Sequence, residues 1–478
     1  MAKEFELKVE KIKKVKTKYR EMKTTTFPVQ ASVKILKNLR KYEPRSMSGQ
    51  PLALWDHAKG FNVYDKYGNK WLDWSSGVLV ANAGHSNPAI VNAIIKQAKH
   101  GLLHNYCFPS EMREKLTEKL AKIAPKPLKK VFLLTTGSET NEVAFKLCRT
   151  WGHKKYGPKK IAMVSFTGAF HGRTLASQLL GGSPALKEWI VNKDKDICQA
   201  PFPNCFRCPW GKKDYEGCDD FCFKNFASYL KKNLKLDAKS RIAGLVVETY
   251  QGGGSTFAPK GFMKQLRKFC TKNNILLVLD EVQAGFARCG TLFGFEYYGI
   301  VPDIAVFGKG ITSSLPLSAV IGRPDVMDLY EPNTMTSTHT GNPISCAAAL
   351  ANIDFIIKNE LVAKCAKSGK LLHAELLKLK ARHSDIIGAL HGAGLVYALH
   401  IIKPGGKDPD ADMAHEIVKK SLQKGLMMFS PVGFGSASVK IAPPLITPED
   451  ALLEGVKVLE EAIIEAKEEA MGKGDSDI

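Results

Sequence analysis

Several features are scarce or absent in this 478-residue chain, and each absence narrows its class. No run of about 18 apolar residues occurs, so the sequence indicates no membrane span. Residues 1–5 lack the apolar stretch of a secretory signal and mix lysine with glutamate, unlike a transit peptide. No internal repeat and no low-complexity tract is present. We therefore expect a soluble, cytoplasmic globular protein without a membrane partner.

The composition is that of an ordinary globular protein, with 44% hydrophobic and 24% charged residues. The length exceeds what one hydrophobic core covers, which predicts two lobes around a cleft. Part of the formal net charge of +22 is local, because residues 1–45 contain 14 lysines and arginines against 5 glutamates. Glutamates interleaved with these lysines favour a solvated amphipathic helix over a nucleic-acid-binding arm. We expect no nucleic acid partner, whereas an anionic substrate or cofactor would suit the charge.

Strand-like and helix-like patterns alternate between Leu116 and Gly322, which is typical of a mostly parallel sheet with helices on both faces. The predicted strands are Val131–Leu134, Ile161–Phe166, Ile242–Val247, Ile275–Leu279, Asp303–Phe307 and Leu317–Ile321. The sequence thus predicts an α/β fold. Residues 76–344 should form a large domain, and residues 1–75 and 345–478 should together form a smaller α+β domain.

The ends of two predicted strands would place a carboxylate beside an amine. Asp280 follows one apolar run directly, and Lys309 follows another by two residues. Ligands bind beyond the carboxyl ends of strands in open parallel sheets. A pyridoxal phosphate enzyme needs a carboxylate to keep the pyridine nitrogen protonated and a lysine to form an imine with the aldehyde. Asp280 and Lys309 can supply both, although a lone lysine is usually a surface group and a lone aspartate often a helix cap.

Two further segments that follow strands suit the rest of such a cofactor. Residues 135–141 open a helix, and the free N–H groups at a helix start attract phosphate, so Gly137 and Ser138 are candidates for a phosphate cup. The alternative interpretation of this segment is a capping box. Beyond the next strand, Phe170 could stack on a pyridine face and Arg173 could grip a carboxylate. A core phenylalanine and a surface ion pair are the ordinary alternatives.

A polar insert at about residues 201–236 holds two cysteine doublets. Cys205 and Cys208 are separated by two residues, and Cys218 and Cys222 by three. Such doublets suit a structural zinc or iron-sulfur site. The second doublet has three intervening residues and not two, which departs from the usual metal-site spacing. The four cysteines of the insert could also form two disulfides or remain free thiols. All three interpretations stay open, and nothing in the insert resembles an active site.

These motifs occur in the order of a known family. From about Gly60 to Thr447 the chain resembles the class III aminotransferases of pyridoxal phosphate fold type I, which include ornithine, 4-aminobutyrate, acetylornithine and amine:pyruvate aminotransferases. The motifs that carry the resemblance are Gly84-His85, residues 136–141, residues 170–174, residues 248–252, residues 279–286, residues 302–310, Gly341-Asn342-Pro343 and Pro443-Pro444-Leu445. The resemblance implies a large cofactor-binding domain and a homodimer or higher oligomer.

The resemblance also implies roles for single residues. Lys309 would bind the cofactor as an imine and then carry the proton between substrate and cofactor, while Asp280 would pair with the pyridinium. Ser337 and Thr338 would reach the phosphate bound by the other subunit, so that a complete site would need a dimer. Gly137 and Ser138 would contact the phosphate, and Phe170 and Val282 would lie on the two faces of the cofactor ring. Gln283 would contact the phenolic oxygen of the cofactor, and Glu248 is a further implied cofactor contact.

Two departures from the family pattern concern the substrate. Relatives carry an acid and an arginine that together gate the substrate carboxylate, and here these positions are Gly253 and Lys440. A lysine cannot fork onto a carboxylate as arginine does. Val78 stands where some relatives carry a tyrosine that recognises ornithine. Ornithine is therefore an unexpected donor, and Val78, Arg173 and Lys440 are the candidate substrate residues.

The sequence thus predicts a homodimeric transaminase that moves a terminal, β or ω amino group to a 2-oxo acid. The donor would be similar to 4-aminobutyrate, a β-amino acid, or an aminated thioester of an anionic carrier such as coenzyme A. A racemase or epimerase shares the same proton abstraction, and a phospho-amine lyase is a further alternative. The non-enzymatic alternative is a metal-dependent interaction module built on the cysteine insert.

Overall fold

The computed structural model describes residues 3–212 and 218–474. The chain divides into two compact units. The sheet unit comprises Pro88–Gly252 and Thr256–Val362, and the terminal unit comprises Met1–Asn87, Gly253–Ser255 and Ala363–Ile478. The domain boundaries at residues 75 and 344 stay a prediction. Within the described ranges, no helix is both long enough and apolar enough to cross a bilayer.

The sheet unit is built on seven strands. In spatial order these are Ile197–Ala200, Ala162–Phe166, Ile242–Glu248, Leu276–Asp280, Ile304–Phe307, Ser318–Gly322 and Lys130–Leu134. The first five pair in parallel, and Ser318–Gly322 is antiparallel to both of its neighbours. Six strands therefore run in one direction, which confirms the predicted mostly parallel sheet. Only Ile197–Ala200, a short edge strand, was absent from the sequence-based prediction.

Helices flank this sheet, and the central strands are buried on both faces. The helices of the sheet unit are Pro88–His100, Glu111–Ile123, Gly137–Tyr156, Leu175–Leu180, Cys218–Lys232, Lys260–Lys272, Pro324–Met327 and Pro343–Lys358. Val143, Leu147 and Trp151 of one helix pack onto Val246 and Val278 of the sheet. Five of the strands that run in the same direction have their carboxyl ends at one edge of the sheet. These ends are Leu134, Phe166, Glu248, Asp280 and Phe307.

The terminal unit combines small sheets with long helices. Its strands are His57–Lys59, Asn62–Tyr64, Lys70–Asp73, Glu21–Met22, Val15–Lys16 and Leu426–Met427 in one sheet, and Ile387–Ala393, Val396–Ile401 and Ser438–Ile441 in another. Its main helices are Val33–Tyr42, Ala411–Gln423 and Glu449–Gly474, and Leu361–Arg382 begins two residues before the unit does. This mixture agrees with the α+β composition expected of the smaller domain.

The amphipathic helix expected near the amino end is wrong for residues 3–27. This segment forms short strands instead, among them Glu10–Lys11, which pairs with Thr26–Phe27. Phe5 is buried while Glu6 and Lys8 are exposed, so burial alternates with the period of a strand. Interleaved charges did not reveal this period. Glu10 is only partly exposed, and it pairs with Lys419 at 2.9 Å.

Candidate active site

Asp280 lies at the carboxyl end of the central strand Leu276–Asp280, and its side chain is buried. Oδ2 accepts hydrogen bonds from Asn141 Nδ2 at 2.9 Å and from His171 Nδ1 at 2.8 Å. Oδ1 accepts from the Val282 N–H at 3.0 Å. Three donors thus hold the carboxylate in one orientation. An ionised carboxylate here can stabilise a positive charge placed beside it.

His171 supplies a second charge to this cluster. Burial disfavours its protonation, but the hydrogen bond to Asp280 and the charges of Asp280 and Glu248 raise the pKa of the imidazole above its ordinary value. Its Nε2 is buried and has no hydrogen-bond partner among the described residues, and the same holds for Asn141 Oδ1. Buried polar atoms of this kind are rare in native proteins, and they mark a place where a ligand can bind.

Lys309 follows the strand Ile304–Phe307, which pairs in parallel with the Asp280 strand. Its φ of 45° is unusual for a residue other than glycine. Burial lowers the pKa of the Lys309 amine, although the charges of Asp280 and Glu248 oppose this shift. A lowered pKa leaves more of the amine neutral, and the neutral amine is the form that attacks an aldehyde.

The helix Gly137–Tyr156 begins beside these residues. Thr136 and Glu139 form a reciprocal capping box, as the alternative interpretation of this motif predicted. The box uses the N–H groups of Thr136 and Glu139, and Gly137 and Ser138 have no intrahelical acceptor at a helix start. The helix start therefore combines a cap with N–H groups suited to an anion.

A close approach explains the glycine at position 137. A Cβ there would lie 2.9 Å from Val282 Cγ1, and a Cβ at Gly308 would lie 3.3 Å from the same atom. Val282, Gly137 and the residue preceding Lys309 are therefore neighbours. The structure brings the phosphate-cup candidate, one ring-face candidate and the predicted imine-forming lysine to one sheet edge.

Glu248 ends the neighbouring strand Ile242–Glu248 and lies close to Gln283, which follows the Asp280 strand. Glu248 accepts hydrogen bonds from the N–H groups of Gly252 at 2.8 Å and Phe170 at 3.1 Å. Burial raises the pKa of Glu248 to about 7. A Cβ at Gly252 would lie 2.3 Å from Gln283 Nε2, so the glycine makes room for the glutamine side chain. Glu248 pairs in register with Asp280 on the neighbouring strand. Glu248 thus links the Phe170 loop to the Asp280 strand.

Phe170 and Arg173 belong to the exposed part of the site. The Arg173 guanidinium lies 5.4 Å from the centre of the Phe170 ring. The backbone N–H of Arg173 donates to Ser138 Oγ at 3.1 Å. No carboxylate of the described chain forms an ion pair with this guanidinium. The ordinary alternative of a surface ion pair is therefore not what the structure contains, and Arg173 is available to a ligand.

Ser337 and Thr338 lie in the loop before the helix Pro343–Lys358. The Thr340 N–H donates to the Ser337 carbonyl at 3.1 Å, and Thr340 Oγ1 donates to the Leu133 carbonyl at 2.5 Å. The loop is thus tied to the sheet unit through Thr340, while Thr338 is exposed. Their contact with a second subunit stays a prediction.

Two of the three predicted substrate residues, Val78 and Lys440, belong to the terminal unit, and so does Gly253. Val78 is 41% exposed, whereas Lys440 is buried on the strand Ser438–Ile441. A Cβ at Gly253 would lie 2.8 Å from the Gly433 Cα, a backbone atom that cannot move aside as a side chain can. A side chain at position 253, including the acid of the family pattern, would therefore require the backbone at Gly433 to shift.

The metal interpretation of the cysteine insert finds no support. The Sγ atoms of Cys218 and Cys222 lie 3.7 Å apart, too far for a disulfide, and Cys205 and Cys208 are not bonded either. Among residues 3–212 and 218–474, no three His, Cys, Asp or Glu side chains are arranged to hold a metal ion. Burial and the neighbouring Cys218 raise the pKa of Cys222 to about 12, so its thiol stays protonated.

Sequence reasoning missed three contributors, which are His171, Asn141 and the pair of Glu281 with Thr249. Asn141 Nδ2 donates to Asp280 and also to the His171 carbonyl at 2.9 Å. Glu281 accepts hydrogen bonds from Thr249 Oγ1 and from the Gly294 N–H. An asparagine one turn into an otherwise apolar helix face was the available signal for Asn141. Nothing in the sequence indicated the partners of Glu281.

Burial raises the pKa of Glu281 to about 7 from an ordinary value of 4.5. The folded state therefore binds this proton more tightly, and the resulting stabilisation is complete below pH 4.5 and lost as pH rises through about 7. We expect Glu281→Gln to lose less stability than the wild type between pH 5.5 and pH 8.5, by roughly 1–3 kcal/mol. Thermal midpoints at both pH values measure this. Exposed Glu331→Gln serves as the control, and equal pH dependence of wild type and Glu281→Gln would contradict the assignment.

The residues assembled at this edge fit pyridoxal phosphate. The buried unpaired nitrogen of His171, the oriented Asp280 carboxylate and the glycine-lined helix start are polar groups suited to the ring and the phosphate of this cofactor. The sequence profile of the class III aminotransferases matches residues 45–463, which is most of the chain. The chain belongs to the class III aminotransferase family. The predicted family and enzyme class, pyridoxal phosphate-dependent aminotransferase, are confirmed.

Comparisons with single proteins support the same family assignment. The chain is 32% identical to a probable 4-aminobutyrate aminotransferase of Bacillus subtilis over 84% of its own length and 91% of the relative. It is 30% identical to a leucine/methionine racemase of Thermococcus litoralis over 87% and 91% of the two chains. A solved aminotransferase structure from Bacillus anthracis matches with a TM-score of 0.83 at 28% identity, covering 93% of this chain and all of that one. The fold of this class III aminotransferase is therefore fold type I, as predicted.

Proposed function

We propose that this aminotransferase transfers the terminal amine of a β- or ω-amino donor to a 2-oxo acid, and that it works as a homodimer. Pyridoxal phosphate, when bound, supplies an aldehyde that condenses with amines and a ring that accepts an electron pair. Gly137 and Ser138 would hold its phosphate, and Asp280 a proton on its ring nitrogen. Phe170, Val282, Gln283 and Glu248 would enclose its ring. Lys309 would carry the proton to and from the substrate carbon.

The observation that carries the donor assignment is the contact between Gly253 and Gly433. It leaves no room for the acid of the family gate, and Lys440 replaces the arginine of that gate. A free α-carboxylate at the reacting end would therefore lose a bidentate partner. A donor whose carboxylate is remote, or is masked as a thioester of coenzyme A, does not need that partner. The formal charge of +22 would favour an anionic carrier.

Arg173 is the residue we assign to a remote carboxylate. Its guanidinium stacks near Phe170 and has no carboxylate partner within the described chain. A charge-assisted hydrogen bond contributes about 1.5–3 kcal/mol. Arg173→Gln should then lower kcat/KM for 4-aminobutyrate by roughly 10- to 100-fold. Butylamine, which has the same chain and no carboxylate, should be affected less than about twofold.

A panel of donors tests the function directly. 4-Aminobutyrate, 5-aminovalerate, β-amino acids, aminated thioesters, butylamine and ornithine are each assayed with pyruvate and 2-oxoglutarate. The proposal expects the first four to exceed ornithine, and a steep loss of kcat/KM with salt would support the carrier version. If ornithine is the best donor and salt has no effect, both the remote-carboxylate and the carrier proposals fail.

Racemisation is the second candidate, because one relative is a leucine/methionine racemase. Both reactions begin with removal of the same Cα proton, and they differ in where the proton returns. Chiral analysis of recovered amino acid, without any 2-oxo acid present, separates them. Loss of optical purity without keto acid formation would favour the racemase over the transaminase. Release of phosphate or ammonia from a phospho-amine would instead indicate the lyase.

The dimer proposal is supported by an apolar surface beside the Ser337–Thr338 loop. The Tyr106 hydroxyl donates to Thr336 Oγ1 at 3.4 Å, and Asn342 Nδ2 donates to the Leu103 carbonyl at 2.8 Å. Large apolar side chains that are more than a third exposed concentrate in this region, and they are Val91, Ile95, Leu102, Leu103, Tyr106 and Phe108. Exposed apolar surface of this extent marks a contact with another protein chain. A second copy seated there would receive Ser337 and Thr338 at its own phosphate.

Mixed dimers test this sharing. Thr338→Ala alone should weaken cofactor affinity by roughly tenfold, because one hydrogen bond to a charged phosphate is lost. A hybrid of Thr338→Ala with Lys309→Ala contains one site with both residues intact only if Thr338 acts across the interface. We expect that hybrid to show about half of wild-type activity at limiting cofactor. Verified hybrids with no more than half the activity of the Thr338→Ala homodimer at the same cofactor concentration would contradict the shared site.

A further inference from the structure

The terminal unit contains a cavity of about 220 Å³, and every residue that lines it belongs to that unit. The lining consists of parts of residues 3–10 and of the helix Ala411–Gln423, together with residues 27–28 and 51–52. At roughly 30 Å³ per water molecule, this volume equals about seven waters or one small metabolite. No lining residue is among those assigned to the cofactor or to the amino donor. The proposed reaction therefore leaves this cavity without a role.

Apolar side chains form much of the cavity wall. Phe5, Phe27 and Leu422 line it and are buried, and Pro51 and Leu52 are partly buried. Small-molecule sites combine such walls with a few polar groups that orient the ligand. The walls thus favour a ligand with an apolar body.

His415 is the buried polar group of the lining. Its ring is 7% exposed and stacks on Phe5, with the ring centroids 4.0 Å apart. Its Nδ1 is buried and has no hydrogen-bond partner within residues 3–212 and 218–474. Burial and the charges of Lys3 and Lys419 lower the pKa of the imidazole to about 4, so that at pH 7 the ring is neutral and one of its nitrogens is an acceptor. An unpartnered buried imidazole is suited to a ligand that donates a hydrogen bond.

Most charged residues of the lining are already paired. The ion pairs are Lys3–Asp412, Glu4–Arg40, Glu10–Lys419 and Glu416–Lys419. Glu6 and Lys8 also line the cavity, and neither forms an ion pair with another residue that the structure describes. Both are exposed, and because burial in this segment alternates as in a strand, side chains two positions apart share one side. The cavity therefore has one unpaired anion and one unpaired cation on the same segment.

We propose that this cavity binds a free α-amino acid with an apolar side chain, with the ammonium between Glu6 and His415 and the carboxylate at Lys8. The charge of Glu6 acts on the His415 imidazole, so these two groups are neighbours and can share one subsite. An α-amino acid carries both charges at one end, next to an apolar group that matches the walls. A ligand with a single charge would leave either Glu6 or Lys8 unmatched. This binding does not involve the cofactor, so it is independent of the proposed function.

Calorimetry on the holoenzyme tests the proposal after borohydride has fixed the cofactor, because amines then cannot condense with it. The ligands are L-leucine, 3-methylbutylamine, which is leucine without the carboxylate, and 4-methylpentanoate, which is leucine without the amine. We expect leucine to bind at one saturable site per chain, and each analogue to bind about fivefold more weakly because it lacks one ion pair. If leucine gives no saturable heat, the cavity holds water only and the proposal is overturned.

Two charge variants locate the bound leucine. Glu6→Gln should weaken leucine and 3-methylbutylamine by about fivefold and leave 4-methylpentanoate unchanged. Lys8→Gln should weaken leucine and 4-methylpentanoate and leave 3-methylbutylamine unchanged. The controls are Glu43→Gln and Lys13→Gln, which change exposed charges of the same unit outside the lining and should affect none of the three ligands. Leucine affinity that is unchanged in both Glu6→Gln and Lys8→Gln, or that the controls weaken equally, would contradict the site.

His415→Phe tests the buried imidazole. The variant keeps an aromatic ring against Phe5 but offers no acceptor, so it should weaken leucine about fivefold more than 4-methylpentanoate, which has no ammonium. A thermal midpoint within a few degrees of the wild type shows that the variant is folded. Equal weakening of both ligands would mean that His415 only shapes the cavity, which would contradict its place in the ammonium subsite.

Discussion

Replacing Lys309 by alanine is expected to abolish turnover while leaving the fold intact. The amine follows the strand Ile304–Phe307 at the sheet edge, and burial lowers its pKa toward the neutral, nucleophilic form. The variant loses both the imine partner and the group that moves the substrate proton, so kcat should fall by roughly 10⁴-fold or more. The phosphate cup that we propose at Gly137 and Ser138 does not involve Lys309. Cofactor should therefore still bind, and borohydride should no longer fix it to the protein.

The control for Lys309→Ala is an exposed lysine of the same unit, Lys264→Ala, which should keep full activity and full borohydride labelling. A thermal midpoint within a few degrees of the wild type shows that Lys309→Ala is folded. Continued covalent labelling of Lys309→Ala would mean that another lysine forms the imine.

Asp280→Asn is expected to keep a bound cofactor and to lose on the order of a thousandfold in kcat. A neutral amide cannot hold a proton on the ring nitrogen, and an unprotonated ring accepts the substrate's electron pair poorly. The change also removes the charge that raises the pKa of His171. Stopped-flow rates of the half reaction measure the loss without interference from product release.

A cofactor analogue separates this role from mere packing. Pyridoxal phosphate methylated on the ring nitrogen carries a fixed positive charge and needs no proton from the protein. It should recover a large part of the rate in Asp280→Asn, whereas its steric bulk should not help the wild type. Near-native kcat in Asp280→Asn with the ordinary cofactor would contradict the role assigned to Asp280.

Much of the candidate site could be predicted from the sequence, because its arrangement depends on local signals. Asp280 and Lys309 each follow an apolar strand, and the carboxyl ends of parallel strands share one edge of a sheet. Gly137 and Ser138 were recognisable from a strand followed by a helix start. The family motifs then supplied the roles of residues such as Gln283, whose chemistry no local pattern reveals.

What could not be predicted depends on contacts between distant residues. Asn141 reaches Asp280 across 139 positions of sequence, and the partnership of Glu281 with Thr249 requires two strand ends to be in register. The strands at residues 10–27 were mistaken for a helix because their stabilisation comes from pairing and from the distant Lys419. The segment Ser76–Leu79 forms a left-handed turn with positive φ at all four residues, and it has no sequence signature apart from Gly77. In that turn, tertiary contacts override local preference.

Covalent mapping of the cofactor tests the central claim most directly. The wild-type holoenzyme is reduced with borohydride, digested, and analysed by mass spectrometry for peptides that carry a phosphopyridoxyl group. The account predicts a single modified position, Lys309, with about one group per chain and none in Lys309→Ala. Modification of a different lysine, or of no lysine in an enzyme that is active and yellow, would contradict it.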